Sequence, residues 1–221
     1  VVLRKHFQER LDEIREDVLR MGAGANEMVR RAVEAALNAD SAGMAEVIEA
    51  DDAIDAAERE IVNQAMLAVM QESPVASDLR MLVCTLGVVG EIEKVGDHAV
   101  KFCRRMSKLE GRFPAEMKLA LNEIGELSRR SFNGALRLYA GYDAELAEEV
   151  IRGDQPVDEA FRIVREQLSE LIERDPQQTT ALMRTIEAFH ALEHVADHAV
   201  AIAVRLRMVQ GSTGADSPGA N

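Results

Sequence analysis

The chain has 221 residues and a formal charge of −13, from 26 basic and 39 acidic side chains, with only five prolines and no tryptophan. That balance excludes non-specific nucleic-acid binding, which rests on Lys and Arg neutralising phosphates. The sequence has no apolar run long enough to cross a bilayer. Alanine is close to one residue in seven, and Leu, Glu, Met and Arg are abundant, so the composition predicts an all-α protein. Val1 to Arg10 lack the apolar run of a signal peptide, and Cys84 and Cys103 fall in helical patterns as reduced, buried thiols. Both features predict a cytoplasmic protein.

Six helices are predicted in chain order, at about 4–39, 42–72, 75–109, 114–140, 144–173 and 177–209. In the first, Phe7, Leu11, Ile14, Val18, Met21, Ala25, Met28 and Ala32 step alternately by four and three, a heptad seam that favours long helices crossing at shallow angles. Asp40-Ser41, Ser73-Pro74, Gly111 with Pro114, Gly141-Tyr142-Asp143 and Asp175-Pro176 separate the helices. Residues 210–221 hold Gly, Ser and Pro without periodic apolar residues and are expected to be disordered.

The six helices are two copies of three. Glu93-Lys-Val-Gly-Asp97-His98-Ala-Val recurs one hundred residues later as Glu193-His-Val-Ala-Asp197-His198-Ala-Val. Ile48, Asp51 and Asp55 answer to Ile151, Asp154 and Asp158. A repeat this long is a duplicated helical bundle rather than a solenoid unit. The expected fold is therefore two tandem three-helix bundles, residues 1–110 and 111–209, followed by the tail.

Carboxylates occupy positions where this pattern calls for core. Glu93 continues the seam Leu79, Leu82, Leu86 and Val89, and Glu193 follows Leu182, Ile186 and Phe189. Asp97 and Asp197 lie one turn further on the same faces. Asp51 and Asp55 share a stripe with Ile48, Val62 and Val69, and Asp154 and Asp158 share one with Ile151, Phe161 and Leu168. Counted from the intervening hairpins, each Asp pair meets its Glu/Asp pair at one level, about 30 Å from the turn. Four carboxylates cannot all ionise in a dry seam, because each raises the others' pKa and is costly to desolvate. A bound cation removes both problems, and oxygen ligands suit hard ions such as Mg²⁺, Mn²⁺ or iron. The competing reading makes Asp51 and Asp154 helix caps. His190, His194 and His198 lie four apart on the face of Glu193 and Asp197. Read as ligands they would suggest Zn²⁺ or Ni²⁺, but the first copy has Gly90 and Lys94 at the first two places. His190 and His194 are therefore assigned to packing or solvent. His98 and His198 are expected to brace Asp97 and Asp197 from behind.

These motifs resemble the PhoU family, regulators linked to bacterial phosphate-specific transport. The family's Leu-Glu-Arg-Ile-Gly-Asp-His-Ala pattern reads here as Ile92-Glu-Lys-Val-Gly-Asp-His-Ala99 and Leu192-Glu-His-Val-Ala-Asp-His-Ala199. Lys5-His-Phe-Gln-Glu-Arg-Leu-Asp-Glu-Ile14 and Pro74-Val-Ala-Ser-Asp-Leu-Arg80 are similar to the family's as well. The resemblance covers residues 4–209. It implies metal ions (iron, Mn, Mg or Zn) held by Glu/Asp-x-x-x-Asp pairs, and a cytoplasmic, homodimeric protein bound to the membrane only through partners. Those partners are the phosphate transporter's ATPase subunit and the phosphate sensor histidine kinase, and the implied role is restraint of phosphate uptake and of the starvation response. Departures are Ala196 for the usual Gly, Lys101 and Ala201 where Asn is common, and Arg104 and Val204 where an acidic residue often follows. Two other classes compete: a ferritin-like di-metal oxidase, for which Glu187 to His190 is the one Glu-x-x-His present, and a metal-free helical adaptor. No nucleophile motif or phosphate loop supports an enzyme.

Overall fold

The computed structural model describes residues 2–72 and 74–215. The helices are α1 (Val2–Leu37), α2 (Ser41–Glu72), α3 (Ala76–Ser107), α4 (Lys118–Ala140), α5 (Ala144–Arg152), α6 (Gln155–Arg174) and α7 (Thr179–Ala215), and the described residues contain no strand. Short 3₁₀ turns at Ala115–Met117 and Pro176–Gln178 lead into α4 and α7. At the end of α1, Ala39 takes a φ of 53° and the Asp40 N–H donates back to the Ala35 carbonyl at 2.8 Å. Asp40 then caps α2 by accepting the Gly43 N–H at 3.0 Å. Asp143 caps α5 in the same way, accepting from Leu146 at 2.7 Å.

Two expectations are corrected. The fifth helix, predicted to run over 144–173, is broken at Gly153-Asp154 into α5 and α6. Pro156 has no N–H to give the Arg152 carbonyl, so the helical ladder cannot pass that point. The stretch expected to be disordered from residue 210 instead continues α7 to Ala215. Val209 still packs on the core, and a helix already formed extends at little cost per residue. Residues 216–221 lie outside the described residues.

The two repeats share one core. Val18, Ala25, Val88, Ile124, Phe132 and Val195 are fully buried in a cluster that runs through both. The motif helices α3 and α7 make the most extensive packing in the molecule, and α1 crosses α4 beside them. That crossing is close: a Cβ on Gly125 would stand 2.9 Å from Val33 Cγ2. Helix α2 packs on the outer side of α1 and α3, and α5 and α6 on the outer side of α4 and α7. Ile14, Val18, Met21, Ala25, Met28 and Ala32 of the α1 seam are all buried.

Candidate metal centre

In the first repeat α2 runs unbroken past Asp51 and Asp55, facing Glu93 and Asp97 on α3. Asp51 sits ten residues inside α2, so it caps nothing. Its Oδ1 lies where a Cβ on Gly96 would come within 3.0 Å, so the missing side chain lets this carboxylate rest against α3. Burial raises the Asp51 pKa, with Asp55 and Asp97 adding to it and Arg104 opposing. Glu93 is raised by burial and then by Asp97, Glu58, Asp55 and Asp51. Glu58 is an acidic neighbour that the pattern did not single out; its position in the second repeat, at a shift of 103, is Phe161. The Lys101 ammonium donates to Asp97 Oδ2 at 3.1 Å.

In the second repeat oxygens of Asp158, Glu193 and Asp197 all lie within 4.8 Å of one another. Among the described residues, no three carboxylates of the first repeat close up to that distance. Asp154 stands at the N-cap position of α6, but its carboxylate accepts no capping bond. Its capping role therefore fails on geometry. Glu193 is the most perturbed of these groups. Burial first, then Asp197 and Asp158, push its carboxyl up to about 7, against a lowering by His194. Its Oε2 is buried without a hydrogen bond, an arrangement that a proton or a cation relieves. Asp158 is raised by burial, Asp154 and Asp197. The donor set thus fits a bound cation.

The carboxylates are less enclosed than their stripes predicted. Asp51, Asp55, Glu93, Asp97, Asp154 and Glu193 are half-buried, and Asp158 and Asp197 are exposed. The shared core draws on the α1, α3, α4 and α7 faces, which leaves the α2–α3 and α6–α7 seams at the outer margins.

Through Nδ1, neither His98 nor His198 meets the aspartate it was expected to brace. His198 Nδ1 crosses the boundary between repeats to Glu91 Oε2 at 2.8 Å, and the Arg205 guanidinium donates to the other oxygen of Glu91 at 2.9 Å. Glu91, with its side chain 6% exposed, is a buried charged residue that sequence reasoning missed. Its signal was present: a carboxylate set in the apolar run Val88-Val89-Gly90-Glu91-Ile92. Burial works against its ionised form, but Arg205 and His198 outweigh this and hold its pKa below the usual value. His98 Nδ1 is buried without a partner, its ring 4.9 Å from His194 and 5.2 Å from His198. Burial first, with Lys101, His198 and His194, lowers its pKa to about 3, so it stays neutral.

The duplicated motif with its facing aspartates can now be set beside known proteins. The PhoU domain model matches residues 18–106 and 121–206, so both repeats are covered. The chain belongs to the PhoU family. A PhoU homolog from Pseudomonas putida, described as a phosphate-specific transport system accessory protein, is 32% identical over 197 residues, covering 88% of this chain and 77% of that protein. The crystal structure of PhoU from Pseudomonas aeruginosa superposes with a TM-score of 0.88 at 30% identity, over 93% of this chain and 99% of that one. PhoU from Streptococcus pneumoniae, at 21% identity and a TM-score of 0.86, covers 93% and 97% and shares the fold.

Against the PhoU motif the departures acquire a geometry. Lys101, in place of the common Asn, forms the ion pair with Asp97, and Arg104 supplies the positive charge that partly offsets the repulsion at Asp51. Ala196 is fully buried, so the second copy keeps a small residue there. Glu187, which a ferritin-like site would need as a ligand, instead pairs with Arg105 at 2.8 Å. No described helix is long and apolar enough to cross a membrane.

Proposed function

We propose that this protein is a metal-binding regulator of phosphate-specific transport, acting by binding rather than by chemistry. In this reading it joins the transporter's ATPase subunit to the phosphate sensor kinase and restrains uptake and the starvation response when phosphate is plentiful. It works in the cytoplasm as a homodimer and reaches the membrane through these partners. The observation that carries the reading is the match to PhoU over both repeats, with relatives described as accessory proteins of the phosphate-specific transport system. The paired carboxylates support one metal position per repeat, taking iron, Mn²⁺, Mg²⁺ or Zn²⁺: Asp51, Asp55, Glu93 and Asp97 in the first, Asp154, Asp158, Glu193 and Asp197 in the second. A net charge of −13 opposes general attraction to an anionic membrane, so docking depends on local patches.

Deleting the gene in its host is the decisive test. Starvation genes should then stay on in rich phosphate, and wild-type protein should co-purify the ATPase or the kinase. A deletion strain with normal repression and normal uptake, and no second copy of the gene, refutes the regulatory role.

A further inference from the structure

The second repeat differs from the first in the elements it offers a metal. His190, Glu193 and His194 stand at i, i+3 and i+4 on α7, which places all three on one face. Their donor atoms lie within 4.8 Å of one another. His190 Nε2 is 3.6 Å and His194 Nδ1 3.5 Å from Glu193 Oε2, the same oxygen that is buried without a hydrogen bond. In a tetrahedral site with bonds of about 2.0–2.2 Å the ligand atoms stand about 3.3–3.6 Å apart. Both separations from Glu193 Oε2 therefore already have the length of an edge of such a site, and the two imidazole nitrogens lie within 4.8 Å of each other. Asp197 Oδ2 lies 2.9 Å from His194 Nδ1, a hydrogen-bond contact that a metal at that nitrogen would replace, which leaves this carboxylate beside the site. The rings are held in place: His190 stacks on Phe161 at 5.4 Å between centroids, and its ring lies 4.1 Å from that of His194.

The first repeat has none of this. Gly90 and Lys94 occupy the places of His190 and His194, and the Lys94 ammonium repels a cation. Imidazole nitrogen favours borderline ions such as Zn²⁺, whereas carboxylate oxygens alone favour harder ones.

We infer that His190, Glu193 and His194, with Asp197 or water as the fourth ligand, form a nitrogen-ligated site for a borderline divalent cation of the zinc class. The inference rests on the metal-binding reading above and narrows it for one repeat. The two repeats then hold different classes of ion.

The test uses the full chain stripped with chelator and titrated with Zn²⁺, Mn²⁺ and Co²⁺. A Glu93→Gln, Asp97→Asn background silences the first repeat. In that background Zn²⁺ should bind tightly, and Co²⁺ should show the strong visible bands of a four-coordinate ion with nitrogen ligands. Adding His190→Gln and His194→Gln should abolish those bands and weaken Zn²⁺ by at least ~10–100-fold, the loss that follows removal of an outer-sphere partner alone. Mn²⁺ binding by the first repeat should be unchanged when the two His substitutions are made in wild-type protein. Circular dichroism checks the fold, and His190→Gln alone, at an exposed position, gives the same test with the least disturbance. Wild-type Zn²⁺ affinity and an unaltered Co²⁺ spectrum in the His variants overturn the inference and leave the carboxylate sites standing. A wild-type protein that binds none of the three ions overturns both readings.

Discussion

The two repeats carry the same motif in different surroundings. In the first, α2 is continuous, Gly96 admits Asp51 against α3, and Lys101 pairs with Asp97. In the second, the helix breaks at Gly153, Ala196 fills the equivalent of Gly96, and histidines stand beside Glu193. The asymmetry extends to the boundary between them. Arg205 of the second repeat reaches Glu91, whereas its equivalent Arg105 pairs with Glu187. The counterpart of Glu91 is Ala191, and His98, the counterpart of His198, makes no hydrogen bond through its Nδ1. Duplication preserved the order of the elements and the acidic pairs, while a broken helix and neighbouring substitutions gave each copy its own geometry and electrostatics.

The largest effect should come from removing the boundary carboxylate. Glu91→Gln deprives His198 and Arg205 of a buried anion. Loss of one member of a buried pair costs about 3–5 kcal/mol, and Arg205 is 48% exposed, so about 2–3 kcal/mol is expected here. That amounts to a melting point roughly 5–10 °C lower for a chain this size. A loss under about 0.5 kcal/mol in urea unfolding would mean that the contact carries no stability.

A smaller, pH-dependent effect separates the two acidic sites in chelator. Glu193 has a folded pKa of about 7 against an ordinary 4.5, so its protonated form is favoured by folding. The associated stability is whole below about pH 4.5 and is lost as pH rises through about 7. The uncorrected shift corresponds to about 3 kcal/mol, and solvent screening of a side chain 18% exposed reduces this to about 1–2 kcal/mol. Metal-free Glu193→Gln should therefore melt higher than wild type at pH 8 and alike at pH 4. Parallel melting curves across that range would show that Glu193 titrates as a solvated carboxylate.

The smallest change in stability should come from making the first repeat like the second at Gly96. Gly96→Ala adds helix propensity of up to about 1 kcal/mol and moves Asp51 Oδ1, the end of a rotatable carboxylate, by a few tenths of an ångström. Stability should stay within about 1 kcal/mol of wild type while metal affinity at the first repeat falls. A fall in stability beyond about 2 kcal/mol would show that Asp51 cannot rotate.

Much of this was legible in the sequence. The heptad seam of α1 marked its buried face because one residue in three or four must meet the core whatever the partner. The duplicated Glu-x-x-x-Asp placed the acidic clusters because helical spacing converts sequence distance directly into a shared face. Periodicity along single helices carries no record of which face meets the other repeat. For that reason the stripes of Asp158 and Asp197 read as buried when they lie at the margin, and Glu91, aimed at a residue 107 positions away, went unseen. The interruption at Gly153 was foreseeable from Pro156 and from residues 152–156, where no periodic apolar residue falls.

The core shared by α1, α3, α4 and α7 has a consequence for how the chain unfolds and for how it can be divided. Phe132 and Val195 are buried in the same cluster as Val18 and Val88, so neither half can melt without exposing the other. Unfolding should proceed as a single cooperative transition, with no half-folded species populated. A chain cut at Gly111 would leave each fragment with an open apolar face shaped for its sister, and the fragments would reassemble or aggregate rather than stand alone.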